Sequence, residues 1–206
     1  MLGRAALLAA GNRNLDFRTK TTFSASATAT KPTGVAAGDI VFVLAVNCTA
    51  GVTLTTNSGA AWSRNQITGS TGVVGVIFSK VLVALDVTNA WDLSSSESGI
   101  SARYQGNGVA SASVKSTTSN GLGATTLALT GFTPAAGSRG AVAAIMDADT
   151  GATDAAPTGF TSRHKATTGT VEVNLTDQVS GYSGGTVTFT STGPNEPEFG
   201  WLIEAI

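Results

Sequence analysis

Apolar residues in this chain follow two patterns, and neither has a helical period. In the first, apolar and polar side chains alternate. Leu15, Phe17, Thr19, Thr21 and Phe23 interleave with Asp16, Arg18, Lys20 and Thr22, and Val171, Val173 and Leu175 interleave with Glu172 and Asn174. Val187 and Phe189 continue the theme. A period of two predicts strands with one face buried. In the second pattern the apolar residues run on unbroken, over 40–46 (Ile-Val-Phe-Val-Leu-Ala-Val) and 141–146 (Ala-Val-Ala-Ala-Ile-Met). Short unbroken runs bounded by turn residues predict strands in the centre of a core.

Read this way, the first half predicts strands over 15–23, 40–46, 52–56, 62–67, 73–85, 89–93, 100–104 and 109–115. The second half predicts 125–130, 141–146, 160–165, 170–176, 186–190 and 199–205. The stretch 73–85 is long enough to bend, with Gly75 or Ser79 as the candidate bend or bulge. Ser24 to Thr30 is a Ser/Ala/Thr run that suits an edge strand or a linker. Pro32-Thr33-Gly34, Gly121-Leu122-Gly123, Gly137, Gly151 and the Gly181–Gly185 loop punctuate the strands as turns.

The two apolar runs belong to a repeat. Ala36-Ala37-Gly38-Asp39 leads into the first and Ala135-Ala136-Gly137-Ser138 into the second, and the same offset carries Ser63-Arg64 onto Ser162-Arg163. Many short strands with frequent turns predict a sandwich or barrel. The expected fold is all-β: one jelly-roll-like β-sandwich over 31–206, built from two related halves at about 36–115 and 135–206, behind an N-terminal arm at 1–30. Two small domains in tandem is the other arrangement considered. Phe160 and Trp62, near equivalent places in the halves, are expected to fill the sandwich core.

Composition strengthens this picture. Ala, Gly, Ser and Thr make up roughly half of the 206 residues, while charged residues are 12% and aromatic residues 6%, so neither a charge-rich helical bundle nor a disordered polyampholyte fits. Twelve basic against thirteen acidic residues give a net charge of −1, which provides no drive toward nucleic acid or anionic membranes. Arg4, Arg13, Arg18, Lys20 and Lys31 make the arm locally basic, and a solvated or interface arm is the favoured reading. Cys48 is the sole cysteine, so no intrachain disulfide forms, and assembly in a reducing cytoplasm is expected. The apolar stretch 5–10 is short for a signal-peptide core and runs straight into Asn12-Arg13-Asn14, so no cleaved leader is expected. No stretch of the sequence approaches the length of a membrane-spanning helix.

A succession of short motifs adds a class. It comprises Lys31-Pro32-Thr33-Gly34-Val35-Ala36-Ala37-Gly38-Asp39-Ile40-Val41, then Ala61-Trp62-Ser63-Arg64 and Tyr104-Gln105-Gly106. Pro157-Thr158-Gly159-Phe160-Thr161-Ser162-Arg163 follows, and Phe199-Gly200-Trp201-Leu202-Ile203-Glu204-Ala205-Ile206 closes it. The succession resembles β-sandwich modules of tailed-phage and prophage structural proteins: head decorations, head spikes, tail fibres and minor tail proteins. Their usual form has Gly before the Trp; here Ala61 precedes Trp62. The resemblance implies a non-enzymatic virion component that attaches to head or tail through its arm and sandwich surface. Its partners would be other virion proteins and copies of itself, with a trimer as the candidate closed form. The resemblance carries no catalytic residue, cofactor or metal.

Candidate chemistry is thin. Asp149-Thr150-Gly151-Ala152 matches the tetrad around an aspartic-protease carboxylate, but two such carboxylates must share a proton, so one copy requires a dimer. Asp147, Asp149 and Asp154 lack the EF-hand spacing, and an acidic turn is favoured over a calcium loop. His164, the only histidine, falls at the polar end of a predicted strand and is expected at the surface or an interface. Glu196 and Glu198 flank Pro197 in a loop and are expected to be solvated rather than paired for glycosidase work. Asn47-Cys48-Thr49 and Asn174-Leu175-Thr176 fit the glycosylation sequon, as triplets do by chance in a Thr-rich chain. The competing function is a glycan-binding adhesin, for which Trp62, Trp91, Tyr104, Tyr182 and Trp201 are the available aromatics.

Overall fold

The computed structural model describes residues 15–46, 48–57, 60–69, 72–105, 108–120, 125–147, 155–168, 171–179, 181–190 and 198–206. The alternating and unbroken apolar patterns both become strands. They are β1 (Asp16–Thr28), β2 (Ile40–Val46), β3 (Leu54–Thr55), β4 (Ser63–Thr68), β5 (Val74–Val81), a short helix α1 (Ala84–Thr88), β6 (Asp92–Gln105) and β7 (Ala112–Ser119). Then follow β8 (Thr126–Leu129), β9 (Gly140–Asp147), β10 (Thr161–Thr168), β11 (Val171–Gln178), β12 (Val187–Thr190) and β13 (Glu198–Ala205). The one helix described is far too short to cross a membrane.

Two antiparallel sheets stack face to face. The first runs in the order β1-β6-β2-β5-β4, with β3 added on β6; the second runs β10-β11-β9-β13-β7. Read from the other end, the second order is β7-β13-β9-β11-β10, and each strand takes the place of its counterpart in β1-β6-β2-β5-β4. The repeated sequence therefore marks a repeated topology. In each copy the unbroken apolar strand (β2 or β9) is central, and the Ser-Arg pair opens a strand at the sheet's end (β4 or β10). The first sheet draws on β1 to β6 and the second on the stretch from β7 to β13, from which β8 and β12 are diverted into a separate ribbon.

The unbroken runs have a physical cause, which is burial on both faces. Ile40, Phe42 and Leu44 point between the sheets, where they join Tyr104, Val142, Ala144, Met146, Phe199 and Trp201 in the central core. Val41, Val43 and Ala45 point outward into a second cluster with Trp62, Phe78, Trp91 and Leu93, beneath a cover formed by the chain around β3 and α1. On the other sheet Ala141, Ala143, Ile145 and Leu202 meet Leu127, Leu129, Val187 and Phe189 of the separate β8–β12 ribbon. The result is four layers. Trp62 and Phe160 accordingly do not fill the space between the sheets: Trp62 is under the first cover, and Phe160 packs half-buried beside the second.

The turn before each central strand is also repeated. Gly38 and Gly137 adopt positive φ of 88° and 96°, as the tight turn requires. In the first copy the Ala36 N–H donates to Asp39 Oδ2 at 2.7 Å, and Arg103 Nε binds the same oxygen at 2.6 Å. Ser138 stands in place of Asp39 in the second copy, and the carboxylate comes instead from Glu204 of β13, which accepts from Ala135 N–H at 2.7 Å and pairs with Lys115 at 2.9 Å. Burial alone would raise the Glu204 carboxyl, but hydrogen bonds from Lys115, Ala135 and Ser138 outweigh it and hold the group below its usual range.

Several boundaries differ from the sequence expectation. The predicted 73–85 strand ends at Val81 and turns into α1. The predicted 89–93 and 100–104 strands fuse into the fourteen-residue β6. Gly75 is neither bend nor bulge, since β5 pairs with β4 in regular register through Gly75 and Ile67. From Asp16 to Thr28 the expected arm is a strand of the first sheet, paired with β6. Ala25 takes positive φ (46°) at the register breaks of β1, where the Ser/Ala/Thr run continues the edge in bulged form. Residues 1–14 lie outside the described residues.

Candidate functional site

Asp149, Asp154 and Glu196 fall outside the described residues, as does Asn47. Asp147 ends β9 in register with Glu172 of β11 and Glu198 of β13. Glu172 is paired with Lys165 at 2.7 Å. Among the described residues no three His, Cys, Asp or Glu side chains gather in a metal-binding arrangement. Asn174 and Thr176 are fully buried, which closes the second sequon to modification. Cys48 is buried, and desolvation, followed by the charge of Glu97, pushes its thiol up to about 12.

The tryptophans are all interior. Trp91 and Trp201 have no exposure and Trp62 has 8%, while Tyr104 has none. An exposed aromatic platform built on these four side chains is ruled out by their burial. Trp62 and Trp91 stack edge to face at 5.2 Å beneath the first cover. Beside them sits an ion pair that the sequence reading missed: Lys80 Nζ lies 2.6 Å from Asp86 Oδ1, with side-chain exposures of 4% and 0%. Lys80 also donates to the Ala60 carbonyl at 2.7 Å and lies 5.7 Å from the centre of the Trp62 ring. Asp86 accepts from Val83 N–H at 2.8 Å and from Thr56 Oγ1, fixing the first turn of α1. The signal available in the sequence was a lone lysine at the end of an apolar strand.

A second polar group lies where the end strands β1 and β10 approach each other. Arg163 Nε pairs with Asp177 Oδ2 at 2.7 Å, and its guanidinium lies 5.3 Å from the Phe17 ring centre. Burial, and then the Asp177 charge, drives the Tyr104 hydroxyl well above its usual range. His164 is here too, buried rather than at the surface, because the register break between Ser162 and His164 turns it inward. Neither ring nitrogen has a hydrogen-bond partner. Desolvation, reinforced by Lys20 across on β1, lowers its pKa from 6.5 to about 4.

This predicts an acid-sensitive stability. Between pH 6.5 and 4 the unfolded chain binds a proton at His164 that the folded chain refuses, so stability falls as the pH drops through that window. The expected loss is about 2 kcal/mol between about pH 7.5 and pH 5. Urea melts at the two values measure it, and His164→Leu should flatten the difference. An undiminished pH slope in that variant would refute the assignment.

Two clefts flank Tyr182 on the second half. One, of about 370 Å3, is lined by the 157–160 turn, Gln178 and the loop leading into β12. The other, of about 230 Å3, is lined by Pro134, Ser138, Arg139 and Gly181. A third cleft, of about 430 Å3, opens beside Trp62 and Arg64 on the first half. No family model, curated protein or solved structure matches the chain.

The strand edges complete the inventory. β1, β10 and β7 stand at sheet ends and each carries a register break. β4 stands at an end too, but it pairs with β5 without a break from Ser63 to Thr68. It contains no proline and no lysine, and most of its side chains are at least partly exposed.

Proposed function

We propose that the protein is a non-enzymatic structural component of a phage-like virion, assembling into closed homo-oligomers and attaching to head or tail. The observation that carries this reading is the regular edge of β4. A sheet edge presents unpaired N–H and C=O groups, and proteins blunt such edges with bulges, Pro or Lys where pairing must be prevented. Of the four end strands of the two stacked sheets three are irregular, and among these four β4 is left as a template for strand addition. The central strands of both sheets are covered on their outer faces within the chain, which leaves the outer strands and their edges as the surface for directional assembly. The motif succession from Lys31 to Ile206 supports the virion setting, and the low charge suits interfaces rich in Thr and Ser hydroxyls.

Light scattering on the purified protein is expected to give a closed oligomer, and the protein should co-sediment with particles assembled from the same genome. Hydrogen exchange should show the β4 amides protected in the oligomer. A monomer that does not sediment with particles overturns the reading. The glycan-binding alternative loses the tryptophan platform and keeps Tyr182 as its half-exposed aromatic.

A further inference from the structure

The larger of the two Tyr182 clefts has a lining of unusual chemistry. Its eleven described residues include no Asp, Glu, Lys, Arg or His, yet the lining they form is mainly polar. Thr158, Gln178, Ser183 and Thr188 all contribute, and among the described residues none of these four makes a side-chain hydrogen bond. Gly184 and Gly185 form part of the wall in positive φ, at 100° and 98°, leaving backbone bare of side chains there.

The aromatic element is held in place. The Tyr182 hydroxyl donates to the Gly185 carbonyl at 3.1 Å and accepts from Phe132 N–H at 3.4 Å. Its ring packs against Phe132 at 4.8 Å and against Phe160 at 6.1 Å, edge to face. Tyr182 and Phe160 are each half-buried, so their rings also face the cleft. A rigid aromatic body next to several unengaged donors and acceptors is the pairing that a ligand with apolar C–H faces and many hydroxyls requires.

We propose that this cleft binds a neutral saccharide. Charge selects the class: a phosphate, sulfate or carboxylate ligand needs a cationic partner, and the described residues of the lining supply none. Polarity selects further, since an apolar side chain or lipid tail would leave the amide of Gln178 and the hydroxyls of Thr158, Ser183 and Thr188 buried without partners. A volume of about 370 Å3 falls at the lower end of the range for small-ligand sites. The site is independent of the virion reading and of the tryptophans. It would make the assembled protein adhesive as well as structural.

The test is a glycan array carrying neutral, sialylated and sulfated oligosaccharides, followed by calorimetric titration with whichever neutral oligosaccharide is retained. Neutral glycans are expected to bind, with little change in affinity from about 50 to 500 mM salt, because no charge is engaged. Gln178→Ala and Thr188→Ala each remove a polar group at the cleft and should weaken binding about tenfold. Tyr182→Ala should abolish it, with tryptophan fluorescence confirming that the buried indoles are undisturbed. Three results would overturn the proposal: no neutral glycan retained, retention of sialylated or sulfated glycans alone, or affinity unchanged in both Gln178→Ala and Thr188→Ala. Particle co-sedimentation reads the virion proposal separately, so either can fail without the other.

Discussion

Asp86→Ala is expected to destabilise the protein by about 3–5 kcal/mol, among the largest effects of any single substitution in the chain. The reason is what it leaves behind. Lys80 is 4% exposed and its ammonium sits against Asp86 Oδ1, so the variant strands a positive charge under the first cover. The Val83 N–H loses its acceptor at the same time, and with it the fixed first turn of α1. Nearby Lys31, whose pKa is lowered by burial and partly restored by Asp86, would be pushed lower still. Urea unfolding followed by tryptophan fluorescence reads the change directly, since Trp62 and Trp91 both border the pair. Replacing both partners, as Lys80→Met with Asp86→Leu, should cost far less than Asp86→Ala alone. Paired apolar substitutes leave no stranded charge, and buried pairs often break even against them. A single variant that loses less than about 1 kcal/mol would mean that water or another carboxylate reaches Lys80.

How much of this could be read from the chain is clearest residue by residue. The runs at 40–46 and 141–146 announced their own positions, because burial on both faces removes the need for alternation. The turn with Gly38 and Asp39 was legible because its geometry is local. β6 was not. Ser94-Ser95-Ser96-Glu97-Ser98 has the composition of a loop, yet it is held extended by β1 on one side and, on the other, by the chain at β3 before it and by β2 from Ser98 onward. Buried Glu97 is satisfied there by Ser95 and by the Thr49 N–H, neither of which is predictable from spacing. The helix α1 was hidden for a related reason. Val81-Leu82-Val83-Ala84-Leu85 reads as a strand, and the chain turns because Asp86 is tied to Lys80 of the preceding strand. Trp62 was misplaced because sequence shows that a residue is buried, without showing which side of a sheet it is on. The Tyr182 cleft drew on three separate segments, the 157–160 turn, Gln178 and the 182–188 stretch, that only the fold brings together.

Trp201→Ala is expected to cost about 3–5 kcal/mol, and its companion substitutions show why the two sheets need this side chain. Trp201 is fully buried on β13, and its Nε1 donates to Asn65 Oδ1 on β4 at 3.0 Å, so one residue ties the second sheet to the first. Space for the indole comes from a missing side chain opposite. A Cβ at Gly75 would lie 2.7 Å from Trp201 Cη2 and 2.8 Å from Met146 Cε. Gly75 is therefore required by the partner sheet rather than by any backbone conformation, and Gly75→Ala should cost about 1–3 kcal/mol through overpacking. The two sites must then couple. Trp201→Phe withdraws the atoms that collide with the new methyl, so the double variant with Gly75→Ala should lose less than the sum of the single losses. Guanidinium melts of the four proteins in that cycle measure the coupling, with about 1 kcal/mol or more expected. Strict additivity would place Trp201 away from Gly75 and with it undo the register of the two sheets.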